Sequence, residues 1–224
     1  MSIEARRAID RLPLLAGVPE GARARLAAAA RPVRYREGEV VFRRGDPGTD
    51  GMLLVLDGLV RLHLATGAGR ELTLGLAGAG EPVGEVALVD GGPRSADCTA
   101  LTPVSGLLIR HADAAAVLAE DHATALALLR TLAARLRRTT EQTEAVALRP
   151  LPQRLATALL KLAAADPAGL VRLPQGQLAA LVAATRPKVN VLLVEWRAGR
   201  LVEPARAGLR ITDPPGLRAL AEAD

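Results

Sequence analysis

One segment, Gly84-Glu85-Val86-Ala87-Leu88-Val89-Asp90-Gly91-Gly92-Pro93-Arg94-Ser95-Ala96, gathers an acid, a glycine-rich turn, an arginine and a hydroxyl in a chain otherwise made mostly of Ala, Leu, Val and Arg. The combination suits a small anionic ligand that also carries a sugar. Backbone N–H groups near the turn and the Arg94 guanidinium are able to hold a phosphate, and Ser95 adds one more donor. Glu85 is wrong for phosphate and right for accepting hydrogen bonds from a hydroxyl, such as a ribose 2′-OH. Phosphate plus ribose is a nucleotide. The same residues also fit a β-turn with a surface arginine and an unrelated glutamate, and their chemistry alone leaves both readings open.

The pattern G-E-x-A-L-x-D-G-x-P-R-S-A over Gly84 to Ala96 resembles the phosphate-binding cassette of cyclic-nucleotide-binding domains. Over nearly its whole length the chain resembles the bacterial cyclic AMP receptor protein family, the CRP/FNR-type transcription regulators. The resemblance implies that Gly84 and Glu85 hold the ribose and that Arg94 and Ser95 hold the cyclic phosphate, with Ala96 closing the motif. It also implies an α+β chain with three parts. These are an N-terminal cyclic-nucleotide-binding β-roll (a double-stranded β-helix or jelly roll) over residues 1–111, a long dimerisation helix over 112–149, and a C-terminal winged helix-turn-helix over 150–224.

Composition narrows the classes. Half of the 224 residues are hydrophobic, enough for a sizeable core. No apolar run approaches the roughly 20 residues needed to span a bilayer. The stretch from Met1 to Pro13 is charged at Glu4, Arg6, Arg7, Asp10 and Arg11 and has no apolar h-region, so a secretory signal is not expected and a cytoplasmic protein is. A single cysteine rules out an internal disulfide framework and any four-cysteine cluster within one chain. It also argues against the oxygen-sensing iron–sulfur branch of the family. The charge is uneven. Residues 148–224 carry 11 Lys and Arg against 6 Asp and Glu, and residues 1–147 carry 18 of each, so the whole excess of +5 lies in the last third. A basic segment joined to a neutral one fits a nucleic-acid-binding module attached to something else. Tyr35, Phe42 and Trp196 are the only aromatic residues, too few for base-stacking platforms, which favours double-stranded DNA over single strands or RNA.

Residues 3–30 read as short helices broken at Pro13, Gly17 and Pro19. From Pro32 to Arg110, short apolar runs (Val40 to Phe42, Met52 to Leu56, Val60 to Leu64, Leu72 to Leu76, Leu107 to Ile109) alternate with turns punctuated by glycines such as Gly45, Gly58 and Gly69. This texture predicts a β-barrel or sandwich. From Ala112 a long helix is expected, with no Gly or Pro until Pro150. His122, Ala125, Leu129, Leu132, Leu136, Thr139, Thr143 and Val146 follow alternating three- and four-residue spacing, a heptad seam that favours pairing of two copies over packing on the chain's own barrel. The seam turns polar at Thr139 and Thr143. The resemblance gives a reason: Thr139-Thr140 matches a Thr-Ser pair that meets the adenine of cyclic AMP, one residue from each subunit, within an ungapped match around Ala133 to Leu136 and Thr139 to Glu141. Arg135, one turn earlier, matches an arginine that reaches the nucleotide.

Pro150 and Pro152 are expected to end or kink the long helix, with Arg149 to Pro152 as a hinge. Gln153 to Ala165 follows as an amphipathic helix. Gln175 to Val182 and a helix from Thr185 to Ala198, with Thr185 as N-cap, Pro187 in the first turn and Gly199 at the end, form a tight helical pair. The resemblance makes this the helix-turn-helix, with Leu201-Val202 and Leu209 to Ile211 as wing strands and Ala207-Gly208 in their turn. Arg186 is the candidate for a bidentate guanine contact, Thr185 and Lys188 for phosphates, and Asn190 for an adenine or a phosphate. Three departures from the family pattern stand out. Pro187 replaces a base-reading glutamate, and Val191 replaces a second base-reading arginine. Ala183 replaces the turn glycine, so the backbone there is expected to be strained or slightly different. Val191 cannot donate to guanine, although it can touch a thymine methyl, and a half-site different from the family's is expected.

Cys98 reads as a buried small hydrophobe. His63, His111 and His122 have no metal-site spacing, no haem ligand stands out, and no catalytic constellation is present. The expectation is a homodimeric regulator, not an enzyme, controlled by cyclic AMP, with DNA and RNA polymerase as partners and no metal or membrane. Two alternatives keep part of this: the same fold binding DNA without the nucleotide or with another effector, and an enzyme or kinase-type regulatory module that uses the cassette without DNA.

Overall fold

The computed structural model describes residues 3–10, 12, 15, 17–67, 71–206 and 208–223, with side chains from residue 6 onward. The expectations at Pro13, Gly69 and Ala207 lie outside the described residues. The chain divides into two units, residues 1–64 with 74–139, and residues 65–73 with 140–224.

In chain order, helices α1 (Ile3–Asp10) and α2 (Glu20–Ala29) precede eight strands: β1 (Ala30–Tyr35), β2 (Val40–Phe42), β3 (Met52–Asp57), β4 (Val60–Ala65), β5 (Glu71–Ala77), β6 (Pro82–Val83), β7 (Asp97–Ala100) and β8 (Val104–Ile109). They form two four-stranded sheets, ordered β1-β8-β3-β6 and β2-β7-β4-β5. The register sets Met52 opposite Ile109 and Leu54 opposite Leu107 in one sheet, and Leu62 opposite Cys98 in the other. Strand β3 explains why the apolar runs do not alternate with polar residues. Its side chains point to opposite faces in turn, and both faces are covered. Leu53 and Val55 join Val60, Val83, Cys98 and Val104 inside the roll. Met52 and Leu54 join Ile9, Leu26, Val117 and Leu128 beneath the helices.

The helix expected from Ala112 is two helices, α4 (His111–Glu120) and α5 (His122–Leu148). Asp121 divides them with an extended backbone (φ −123°, ψ 105°). Its carboxylate then accepts from the Thr124 N–H at 2.7 Å and from the Thr124 hydroxyl, which caps the first turn of α5. Along α5 only Thr124 and Leu128 are buried, while Leu129 and Leu136 of the expected seam are 56% and 68% exposed.

The second unit holds α6 (Leu151–Ala165), β9 (Leu170–Val171), α7 (Gln175–Leu181), α8 (Arg186–Ala198), β10 (Val202–Ala205), β11 (Gly208–Ile211) and α9 (Pro214–Glu222), after α3 (Glu85–Asp90) has appeared in the first. Its strands pair in the order β10-β11-β9. Leu155, Leu159, Leu178, Val189, Leu193, Trp196 and Leu217 form the core. Helix α5 ends at Leu148, before Pro150 as expected, and Pro152 sits inside the first turn of α6 with Pro150 as N-cap. The first turn lacks intrahelical N–H partners, which is why proline is tolerated there. No described helix is long and apolar enough to cross a membrane.

Candidate functional site

Strand β6 runs into Gly84, whose left-handed backbone (φ 82°, ψ 11°) turns the chain into α3. A Cβ at this position would lie 2.3 Å from Arg94 Nη1, so any other residue would be strained in its backbone and would displace that guanidinium. Gly91, also left-handed at φ 68°, ends α3. Asp90 Oδ1 accepts from the Gly92 N–H at 2.8 Å and shapes the return towards Arg94. Backbone bonds from Gly45 N–H to the Arg94 carbonyl and from Arg94 N–H to the Asp46 carbonyl, both 2.9 Å, tie this return to the turn after β2.

Arg94 is buried. Its Nη1 donates to the Gly84 carbonyl at 3.0 Å and its Nη2 to the Gly51 carbonyl at 2.6 Å. The guanidinium carbon lies 4.5 Å from the centre of the Phe42 ring, a cation–π stack. Burial lowers the Arg94 pKa, and Asp50 and Asp46 oppose that shift. Across the turn, Glu85 is fully buried. One of its oxygens accepts from Arg135 Nη1, and Arg135 Nη2 donates to the Pro82 carbonyl at 2.9 Å. The other oxygen, Oε2, and Arg94 Nε are buried without a hydrogen-bond partner among the described residues. Leaving such atoms unpaired costs about 1–3 kcal/mol each. The cassette thus holds one acceptor and one cationic donor unpaired in its interior among the described residues.

The structure therefore brings Gly84, Glu85, Arg94 and Arg135 together. Ser95 is exposed beside them, and Ala96 is buried as the chain enters β7. Thr139 and Thr140 are exposed on α5, and the Thr139 hydroxyl donates to the Arg135 carbonyl at 3.0 Å, one turn back. Sequence reasoning missed the Gly51 and Pro82 carbonyls and the Phe42 ring. Phe42 carried a weak signal as one of three aromatics, but carbonyls carry none. Cys98, opposite Leu62, is buried, and burial pushes its thiol up to about 12. No group of three or more His, Cys, Asp and Glu residues is placed to hold a metal among the described residues.

In the second unit, α7 and α8 both end in the same motif. Ala184 N–H reaches the Ala179 carbonyl at 2.9 Å, and Leu201 N–H reaches the Trp196 carbonyl at 2.8 Å. Each is the six-to-one bond of a Schellman close, which needs a left-handed residue just before it. Those residues are Ala183 (φ 50°) and Arg200 (φ 57°), neither a glycine. The strain expected at Ala183 is present. Gly199, expected to end α8, takes an ordinary φ of −76°, and the left-handed step falls one residue later. Thr185 is the N-cap of α8 by position, without a side-chain cap bond. Thr185, Arg186, Lys188 and Asn190 are all exposed on its first turns, and Asn190 Oδ1 accepts from Gln175 Nε2 at 3.3 Å.

Residues 32–121 match the cyclic nucleotide-binding domain family, and residues 153–220 match the Crp-like helix-turn-helix domain family. The CRP-like cAMP-activated global transcriptional regulator of Mycobacterium tuberculosis is 32% identical over 195 residues, covering 84% of this chain and 87% of that one. The chain belongs to the CRP/FNR family of transcription regulators. It is a DNA-binding regulator that carries a cyclic nucleotide-binding domain, and the family is not a class of enzymes. The cyclic AMP receptor protein of Thermus thermophilus is 34% identical over 159 residues, covering 71% of this chain and 73% of that one. Among solved structures, the c-di-GMP responsive global regulator of Xanthomonas campestris superposes with a TM-score of 0.75 at 26% identity, over 87% of this chain and 100% of that one. The two sheets, α5 and the helix-turn-helix are those of CRP/FNR-family structures.

Proposed function

We propose that this regulator is a homodimer whose DNA binding is controlled by cyclic AMP held in the Gly84 to Ala96 cassette. The carrying observation is the pair of unsatisfied buried atoms, Glu85 Oε2 and Arg94 Nε. A ribose hydroxyl supplies the donor that Glu85 lacks, and a cyclic phosphate oxygen supplies the acceptor that Arg94 lacks. Arg135 positions the Glu85 carboxylate, Gly84 allows the backbone to approach, and Ser95 adds a donor at the phosphate. Thr139 and Thr140 offer hydroxyls to the base. The names of the two cyclic-AMP-linked relatives support that choice of nucleotide. The exposed heptad leucines of α5 support the dimer. Thr185 and Lys188 position α8 on phosphates, Arg186 reads a guanine, and Asn190 reaches an adenine or a phosphate. A cytoplasmic protein that meets RNA polymerase on DNA completes this reading. Cyclic AMP acts as a switch only by binding the DNA-competent state more tightly than the other.

A second reading keeps the fold and the DNA binding and changes the effector. The similarity to a c-di-GMP responsive regulator favours it. Calorimetric titration with cyclic AMP, cyclic GMP and c-di-GMP separates the two. The expected result is saturable binding of cyclic AMP that Arg94→Leu weakens by about a hundredfold or more, the equivalent of losing charge-assisted hydrogen bonds. Circular dichroism checks that the variant stays folded. Absence of heat with cyclic AMP from a folded wild-type dimer sinks the first reading, and heat with c-di-GMP alone selects the second.

A further inference from the structure

Helix α8 has two faces of opposite fate. Val189, Leu193 and Trp196, spaced by four and three residues, form the row buried in the core. Pro187, Val191 and Val194 repeat the same spacing half a turn away, so they lie on the face opposite the core. All three are exposed, Val191 by 64% and Val194 by 54%. Valine is a poor helix former, and at these two positions it contributes nothing to the core of its own unit. An apolar row exposed in this way calls for a partner surface.

The charges around the row choose that partner. Arg186, Asn190 and Arg197 line one edge and Lys188 and Glu195 the other, so cations outnumber the single anion three to one around the row, and residues 148–224 hold the chain's entire net charge of +5. Cations flanking an apolar strip fit a duplex, with phosphates at the edges and the groove floor in the middle. The row itself has no side-chain donor or acceptor, so it cannot read bases by hydrogen bonds. The apolar group that a base pair offers in the major groove is the C5-methyl of thymine.

We propose that this chain reads its DNA site chiefly through thymine methyl groups packed against Pro187, Val191 and Val194, with Arg186 supplying a hydrogen-bonded contact at the edge of the row. This rests on α8 being the helix that enters the groove. It predicts half-sites rich in A·T pairs where the row lies, in place of a second guanine contact.

The test replaces thymine by deoxyuridine, which removes only the methyl. A high-affinity duplex is first selected from random sequence at fixed salt, with and without cyclic AMP, and each thymine is then replaced in turn. The expected result is a loss of about fourfold at one or more positions in each half-site, the affinity equivalent of one buried methyl group. The double variant Val191→Ala/Val194→Ala, checked by circular dichroism, should bind the thymine and uracil duplexes within about twofold of each other. Arg186→Ala should weaken both duplexes and leave their ratio intact. A wild type that holds its selected duplex equally well with uracil at every position overturns the methyl reading alone. So does a double variant that keeps the wild-type ratio. Failure to select any duplex under either condition overturns the placement of α8 in the groove, and this proposal with it.

Discussion

Glu85 is a fully buried carboxylate held on one side only. Arg135 neutralises it, yet its second oxygen has no hydrogen-bond partner among the described residues. Removing one member of such a pair leaves an uncompensated charge, which is why buried pairs are costly to break. Arg94 faces the opposite problem: two of its nitrogens brace the Gly84 and Gly51 carbonyls while Nε has no partner among the described residues. Both residues hold the cassette in shape and keep one polar atom in reserve. Gly84 is the joint between them. Its left-handed backbone costs a residue with a Cβ about 1–2 kcal/mol, and that Cβ would also push Arg94 Nη1 off the carbonyl it braces. Gly84→Ala is therefore expected to lower unfolding free energy by about 1–2 kcal/mol in urea titration and to weaken cyclic nucleotide binding in the same preparation. Unchanged affinity would mean that the turn geometry is irrelevant to the ligand.

At the level of elements, Asp121 decides where the long helix begins. Hydrogen bonds from Thr124 hold its carboxyl below the ordinary value of 3.8. A carboxylate depressed in this way stabilises the fold above its unfolded pKa, and that stabilisation fades as pH falls through its folded value. Asp121→Ala should therefore melt below the wild type at pH 7, and the gap should narrow as pH drops below 3.8. A gap that is constant with pH would assign the effect to packing. Asp121 also marks the limit of what was legible in the sequence. The stretch from Ala112 to Arg149 has no Gly or Pro, so only a side-chain cap could divide it, and an aspartate three residues before a threonine is a faint sign. Strands β6 and β9 are two residues long, too short for any periodicity. The apolar run at Met52 was legible because both faces of β3 are covered. The cassette was legible as a linear motif, and so was the helical pair that carries Arg186. The ion pair between Glu85 and Arg135, which are 50 residues apart, exists only once the fold is formed.

For the whole molecule, the leucines of α5 matter most: Leu129 is 56% and Leu136 68% exposed within one chain. A heptad seam of this kind is stable when a second helix supplies the holes for its knobs. Leu136→Asp places a charge there from each protomer. It should raise the dimer dissociation constant by at least about a hundredfold, read by sedimentation equilibrium, since each buried leucine contributes about 1.5–3 kcal/mol. An unchanged dimer would move the interface elsewhere on the chain. The single thiol has a consequence at the same scale. Thiol reagents attack the thiolate, and Cys98 is buried in the roll with its pKa pushed up to about 12. It reacts only when the two sheets part, so its rate of modification under native conditions is a clock for opening of the roll. No other cysteine in the chain competes with that reading, and a ligand that braces the cassette makes the clock run slower.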